Sequence, residues 1–154
     1  NQQTTTFLNG ANVEEEIRST RVASFVSEVA AIPEVRSFLV AQQQALAESK
    51  GVVMDGRDIG TVVLPDAELK LFVTAAQEVR IQRRYDELKA KGVHVERQEI
   101  AENLAHRDKI DTEREQDPLR QASDAVVLDN SNMTRQEQLT WALDLAQEKI
   151  SNAS

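Results

Sequence analysis

The residues best suited to chemistry lie in one ten-residue stretch. Residues 51–60 read Gly-Val-Val-Met-Asp-Gly-Arg-Asp-Ile-Gly, so two carboxylates and a guanidinium follow a short apolar run. Such β-branched runs bounded by glycine are typical of buried parallel strands, and ligands of open α/β sheets bind beyond the carboxyl ends of these strands. A binding site at Asp55, Arg57 and Asp58 is one of two interpretations that this pattern supports equally. The alternative is a polar strand-to-helix turn, where Asp and Gly are common.

Clustered arginines form a second group of candidates in a chain whose net charge is −8. The planar guanidinium matches phosphate oxygens two at a time, so islands of arginine in an acidic chain favour a small anionic ligand over a nucleic-acid polymer. The alternative is solvated helix faces carrying Glu–Arg pairs, each worth only ~0.3–0.5 kcal/mol. The clustered residues are Arg80, Arg83, Arg84, Arg97, Arg107, Arg114 and Arg120.

Helical spacing places some of these charges on common faces. Arg107, Asp111 and Arg114 fall within about 60° of one another and span ~10 Å, roughly the reach of a nucleoside monophosphate with its ribose hydroxyls on the carboxylate. A ladder of i, i+4 and i, i+3 salt bridges has the same spacing and stays open. Arg80, Arg83 and Arg84 also share a face, which costs free energy unless an anion or an acidic partner neutralises them.

Composition limits the class of protein. The 154 residues suffice for one domain with a core. The sequence contains no run of 18 apolar residues, so we expect no membrane span. The N-terminus lacks the basic and apolar regions of a secretory signal. Because cysteine is absent, disulfides and thiolate chemistry are excluded and a reducing cytoplasm fits. Because the sequence has only two histidines, His94 and His106, and no cysteine to join them as ligands, we expect no metal site.

The elements that must position these residues alternate along the chain, which predicts an α/β fold with a parallel sheet. Ser27 and Arg36 flank a helix break at Pro33, where both side chains can turn to one side. Capping boxes are predicted at Thr74 and Thr134. We expect a hairpin beginning at Thr4, strands near 51–55, 69–73 and 124–129, a loop at 61–67, and helices at about 20–32, 33–49, 74–91, 96–116 and 134–150.

Four segments together resemble bacterial cytidylate kinases, the CMP/dCMP kinases of the P-loop family. The four segments are specific and occur in the family's order, and the resemblance covers nearly the whole chain, from about Phe7 to Ile150. Residues 55–67, Asp-Gly-Arg-Asp-Ile-Gly-Thr-Val-Val-Leu-Pro-Asp-Ala, are similar to its signature segment. Residues 29–36 resemble its nucleotide-binding segment, residues 107–114 its Arg-Asp-x-x-Asp-x-x-Arg segment, and residues 123–129 its last strand.

The resemblance implies a role for each matching residue. Ser27, Arg36 and Asp58 would recognise cytosine, and Arg107 and Asp111 would contact the ribose. Arg57 and Arg114 would hold the CMP phosphate. The residues in the region like the mobile lid, which would close over the ATP phosphates, are Arg80, Arg83 and Arg84. Since phosphoryl transfer needs positioning and charge neutralisation, Arg57, Arg84 and Arg114 would be the catalytic residues.

The chain departs from the family in lacking the Gly-x-x-x-x-Gly-Lys-[Ser/Thr] loop that cradles ATP phosphates, because its five glycines do not form that pattern. It thus resembles the C-terminal two-thirds of a P-loop kinase: the remainder of a mostly helical NMP-binding insert at 1–50, then the core at 51–154 with its lid near 80–116. We expect ATP as co-substrate, with Mg²⁺ accompanying it, and no phosphoryl transfer at a useful rate by this chain alone.

Three interpretations follow. The first is the CMP-binding and lid part of a cytidylate kinase, which phosphorylates CMP and dCMP. The second is a non-catalytic nucleotide-binding or interaction module without the P-loop. The third is an acidic α/β or helical domain whose arginines only form salt bridges. We expect no nucleic-acid or membrane partner, a monomer in the full-length family, and association of the chain through exposed sheet edges.

Overall fold

The structure, a computed structural model, describes residues 5–152 and begins with a hairpin. Strand β1 (Phe7–Leu8) pairs antiparallel with β2 (Ala11–Asn12). Asn9 and Gly10 have φ values of +50° and +82°, as the tightest hairpin turns require at both central residues. The predicted hairpin is therefore confirmed, apart from Thr4, which lies outside the described residues.

Two helices follow a 3₁₀ turn at Glu16–Arg18. Helix α1 (Thr20–Ala30) is capped by the Ser19 hydroxyl, which accepts a hydrogen bond from the backbone N–H of Val22. Helix α2 (Pro33–Ala47) starts at the proline, where a missing N–H costs nothing. The predicted break is confirmed, and both helices end about two residues earlier than expected.

Two strands that are far apart in the rest of the sequence form a parallel pair. Strand β3 (Leu71–Thr74) pairs with β4 (Val126–Asp129), from Leu71 opposite Val126 to Thr74 opposite Asp129. Helices α3 (Gln77–Ala90) and α4 (Arg97–Glu113) lie between these strands in sequence, and α5 (Arg135–Asn152) follows β4. The prediction of an α/β fold with a parallel sheet is confirmed.

The strand expected near residues 51–55 is not formed, and this prediction is wrong. A strand needs a hydrogen-bonded neighbour, but in the described part of the chain β3 and β4 pair only with each other. Val53 is fully exposed as a result. Further along, the loop predicted at 61–67 begins inside a π-helical turn, Ile59–Val63.

One capping box is wrong and the other is confirmed. Thr74 cannot cap α3 because it is the last residue of β3, and the helix begins three residues later without a side-chain cap. Thr134 does cap α5: its hydroxyl accepts from the N–H of Glu137, whose carboxylate accepts from the N–H of Thr134. No helix within residues 5–152 has the length and apolarity needed to cross a membrane.

The main buried core lies between α3 and α4. Ile81, Leu88 and Ile100 pack together there, with Tyr85 and Leu104 against them. The apolar stripes of α1 and α2 are instead largely exposed, as are several side chains of the sheet and α5. Association through the sheet edges stays a prediction.

Replacement of Leu88 by alanine should lower the free energy of unfolding by about 2–5 kcal/mol, because a buried leucine loses its contacts and leaves a cavity. Leu46→Ala is the matched control, since Leu46 is 67% exposed and Leu88 only 5%, and it should change stability by under about 0.5 kcal/mol. Urea denaturation of both variants measures the difference. Equal losses would contradict a core between α3 and α4.

An ion pair outside this core predicts a pH dependence. Lys70 Nζ donates to both carboxylate oxygens of Asp124, at 2.9 and 2.8 Å, and this hydrogen bond lowers the pKa of Asp124 below its ordinary value. A carboxyl group whose pKa is lower in the folded than in the unfolded state stabilises the fold at pH values above its unfolded-state pKa. This stabilisation is lost as the pH falls through the folded-state pKa. The free energy of unfolding of the wild type should therefore exceed that of Asp124→Asn at pH 6. Urea denaturation at a series of decreasing pH values should show this difference vanish at the acid end. A pH-independent difference would contradict the assignment.

Candidate functional site

A buried ion pair between Arg36 and Asp58 lies at the centre of the candidate site. Arg36 is in the first turn of α2, and its Nη2 contacts Asp58 Oδ2. The two side chains are 8% and 9% exposed. Arg36 Nε also donates to Asp117 Oδ2 at 2.9 Å. One guanidinium therefore joins α2 to the turn after residues 51–55 and to the segment after α4.

The end of α4 supplies the next pair of charges. Arg114, whose side chain is 5% exposed, has its Nη1 3.8 Å from Asp111 Oδ1 and its Nη2 3.9 Å from Asp58 Oδ1. Its Nε donates to the main-chain carbonyl of Asp117 at 2.7 Å. Asp58 thus lies between two buried guanidinium groups, and Asp111 lies beside one of them.

Arg57 extends the cluster toward solvent. Its Nε is 3.1 Å from Asp111 Oδ2, and its Nη1 is 4.0 Å from Asp108 Oδ1. The side chain is 38% exposed, so part of the guanidinium can meet a ligand. Asp108 also pairs with Arg80, at 2.6 Å. Four arginines and four aspartates therefore form one continuous network of ion pairs: Arg36, Arg57, Arg80 and Arg114 with Asp58, Asp108, Asp111 and Asp117.

The turn that carries Arg57 and Asp58 is tight. A Cβ atom on Gly56 would lie 2.9 Å from Ile59 Cγ1, so a larger residue at this position would force the side chain of Ile59 to shift. The carbonyl of Asp58 accepts from the N–H of Val62 at 2.9 Å and from that of Thr61 at 3.3 Å as the π-helical turn begins. Such wide turns often occur at functional sites, and this one directs Asp58 inward.

Arg107 adds a positive charge that this network does not balance. Burial lowers its pKa below that of an ordinary guanidinium, and the charge of Arg57 lowers it further, while Asp111 opposes the shift. Burial and then the charge of Arg36 lower the pKa of Arg114 in the same way. Both groups remain protonated, since arginine keeps its charge in proteins, so an anion bound beside them would be stabilised.

Two buried N–H groups in this region are without an acceptor. Within the described residues, Arg107 Nε and Arg114 Nη2 form no hydrogen bond, and the 3.9 Å from Arg114 Nη2 to Asp58 exceeds hydrogen-bond length. Buried donors are nearly always paired, and an exception calls for an explanation. A bound ligand with acceptor oxygens provides one.

A cleft of about 260 Å³ opens next to Arg107. It lies between α1 and the 3₁₀ turn on one side and α3 and α4 on the other, and it is lined by cations and by apolar side chains of α1. Glu87 supplies the carboxylate in the cleft and accepts hydrogen bonds from Arg84 at 2.8 Å and Lys91 at 2.7 Å. Its cationic lining consists of Arg18, Arg84, Lys91 and Arg107.

The three arginines of α3 contact three different partners. Arg80 donates to both oxygens of Asp108, at 2.6 and 2.9 Å, and these bonds raise its pKa. Arg83 donates to the side-chain and main-chain oxygens of Asn130, each at 2.7 Å, whereas Arg84 lies in the cleft. The three groups therefore do not converge, and their shared role toward ATP phosphates stays a prediction.

The structure brings most of the other predicted residues together. Arg36, Arg57, Asp58, Asp111 and Arg114 belong to the network, Arg107 lies beside it in the cleft, and Ser27 is buried in α1. No group of three or more His, Cys, Asp or Glu side chains that could hold a metal ion occurs within residues 5–152.

Comparison with known proteins identifies the family. The sequence model described as cytidylate kinase matches residues 1–148. The chain belongs to the cytidylate kinase family. A cytidylate kinase of Parabacteroides distasonis is 61% identical over 139 residues, which cover 90% of this chain and 61% of the relative. One from Phocaeicola vulgatus is 56% identical, covering 97% of this chain and 65% of the relative, and one from Bacteroides fragilis is 56% identical, covering 94% and 63%. The chain thus spans a little over three fifths of the length of these relatives.

Two residues of the network, Asp108 and Asp117, were not among the predicted site residues. Asp108 accepts from Arg80 and lies within ion-pair distance of Arg57, and its place in the Arg-Asp-x-x-Asp-x-x-Arg segment was a signal for it. Asp117 contacts both Arg36 and Arg114. Its signal was weaker: an aspartate between the end of a helix and Pro118 is typical of a turn.

Replacement of Asp58 by asparagine should lower the free energy of unfolding by about 3 kcal/mol, because removing one partner leaves buried charges uncompensated. The loss should lie at the lower end of the range for buried pairs, since Asp117 still accepts from Arg36. Urea denaturation measures it, with Asp66→Asn at an exposed position as control. A loss under about 1 kcal/mol, typical of surface pairs, would contradict a buried network.

Proposed function

We propose that this chain carries the CMP-binding part of a cytidylate kinase, the enzyme that transfers the γ-phosphoryl group of ATP to CMP or dCMP and releases ADP with CDP or dCDP. One observation carries the proposal: Arg107 Nε and Arg114 Nη2 are buried without acceptors in the described structure, beside a balanced network of ion pairs. A phosphorylated ligand supplies both the negative charge and the acceptor oxygens that they lack. Family membership and the names of the relatives support CMP as that ligand.

The base end of the proposed site is Arg36 with Asp58, and with Ser27 on α1. Cytosine presents an amino donor at N4, next to an acceptor nitrogen. A carboxylate beside a guanidinium offers the complementary acceptor and donors. Uracil presents an oxygen where cytosine has its amino group, so Asp58 would repel it. This pair therefore suits cytosine in particular.

The phosphate end is Arg57 with Arg114, and the ribose lies between Arg107 and Asp111. Arg57 is partly exposed, and its five N–H donors exceed those that its two aspartate partners occupy. It can therefore bind phosphate oxygens while it keeps its ion pair with Asp111. As catalytic residues, Arg57 and Arg114 would hold the accepting phosphate in line with ATP and neutralise the charge that develops.

On the ATP side we propose Arg84, with Arg80 and Arg83, as the lid residues. Arg84 is best supported, because it lines the same cleft as Arg107. Arg80 and Arg83 would have to exchange the contacts with Asp108 and Asn130 described above for phosphate oxygens. Mg²⁺ would accompany ATP. Because the 154 residues contain no glycine-rich phosphate loop, CMP binding is the direct test of this chain.

We also propose that residues 1–50 belong to a nucleotide-binding insert and residues 51–154 to the kinase core. The contact between Arg36 and Asp58 would then join the two at the base site. The cysteine-free sequence fits a cytoplasmic location. A monomeric family enzyme and association of this chain through its sheet edges are further proposals, which sedimentation of the chain can test.

Calorimetric titration should show that the chain binds CMP and ignores AMP. Arg114→Met keeps an apolar stem and removes the guanidinium, so it should weaken CMP binding about ten- to a hundredfold, because a charged hydrogen bond is worth ~1.5–3 kcal/mol. Arg97→Met, near the exposed start of α4, is the matched control and should bind CMP as wild type does.

A folded wild type that ignores CMP would overturn the proposal, and a circular dichroism melt of the same sample establishes whether it is folded. Equal binding of CMP and AMP would leave only a general phosphate site. If Arg36→Ala and Asp58→Ala bind CMP unchanged, the network has a purely structural role.

A further inference from the structure

Asp117 contacts two of the arginines that line the proposed site. It lies between α4 and Pro118, with a φ of +52°. Its carboxylate Oδ2 accepts from Arg36 Nε at 2.9 Å, and its main-chain carbonyl accepts from Arg114 Nε at 2.7 Å. The carboxylate thus serves the base end of the site, and the carbonyl serves the phosphate end.

These two contacts fix the direction in which each guanidinium presents its other donors. Asp117 holds the Nε edge of both arginines, while Asp58 faces an Nη2 atom of each. With its Nε edge fixed, the planar group of Arg36 can rotate little. Its Nη donors therefore point toward Asp58, where the base is proposed to bind.

The backbone around Asp117 supports this arrangement. A positive φ is uncommon for residues other than glycine, but aspartate and asparagine adopt it more readily than most. Leu119, two residues later, donates its N–H to the carbonyl of Asp111 at 2.7 Å. The segment is thereby tied to the last turn of α4, so both oxygens of Asp117 are held in place.

We propose that Asp117 is a positioning residue for base selectivity: its carboxylate orients Arg36 toward cytosine, while its carbonyl independently holds Arg114 at the phosphate. This inference rests on the proposed function. Asp117 does not contact the reacting atoms, so it acts through Arg36. Substitution of the side chain removes the contact at the base end and leaves the carbonyl at the phosphate end, so the two effects are separable.

The test compares wild type, Asp117→Ala and Asp117→Asn by calorimetry with CMP, UMP and cytidine. The ratio of the UMP and CMP dissociation constants reports base selectivity, and the ratio for cytidine and CMP reports the phosphate contacts. Asp117→Ala should reduce the first ratio at least tenfold and leave the second within twofold. Asp117→Asn keeps an acceptor and tolerates the positive φ, so it should retain an intermediate selectivity. Asp66→Asn, at an exposed position, is the control.

Equal weakening of CMP and UMP by Asp117→Ala would overturn the inference, because it would indicate a general packing role. Unchanged selectivity in both variants would overturn it as well. If Asp117→Ala does not fold, the loss of selectivity in Asp117→Asn decides. A folded wild type that ignores CMP overturns the proposed function instead, and nitrogen-15 NMR of the ligand-free chain then decides the positioning role. Asp117→Asn should shift the Arg36 Nε–H resonance and leave that of Arg114 in place, and shifts of both or of neither would refute it.

Discussion

The structure around the site depends on one buried ion pair, Arg36 with Asp58. Removal of two such charges from water costs several kcal/mol per ion, and their mutual attraction repays this cost only when further polar partners complete the pair. Here Asp117 accepts a further hydrogen bond from the guanidinium of Arg36, and Arg114 approaches the carboxylate of Asp58. Helix α2, the turn after residues 51–55 and the end of α4 must therefore be in place together, although the three segments are far apart in sequence.

The parts of this arrangement that could be predicted are those set by local spacing. Asp111 and Arg114 are one helical turn apart, and the structure has them on one face, 3.8 Å from each other. Pro33 ended one helix and began the next, because its ring excludes the preceding hydrogen bond. The segment resemblance then selected Arg36 and Asp58, which spacing alone would not have joined.

The parts that could not be predicted depend on tertiary neighbours. An apolar run such as that around Val53 becomes a strand only when another strand pairs with it, and composition does not contain that information. The arginines of α3 share a helix face as expected, but long flexible side chains reach acceptors in different directions: Arg80 reaches α4, and Arg83 reaches the loop after β4. Thr74 and Gln77 have the spacing of a capping box, but Thr74 belongs to β3, since strand pairing extends to it.

The charge balance of the network explains how the site can be stable without a ligand and still be suited to the anion that is proposed to bind there. Four aspartates offset four arginines, so the grouped charges do not repel one another strongly in the free chain. Arg107 lies outside this balance, with its pKa lowered first by burial and then by Arg57. A phosphate held by Arg57 and Arg114, as proposed, would offset the positive charge of Arg57 that acts on Arg107. It would need to displace none of the aspartates, because each guanidinium has more donors than its protein partners use. Ion pairs that hold the fold together and an affinity for an anion are therefore compatible in the same cluster.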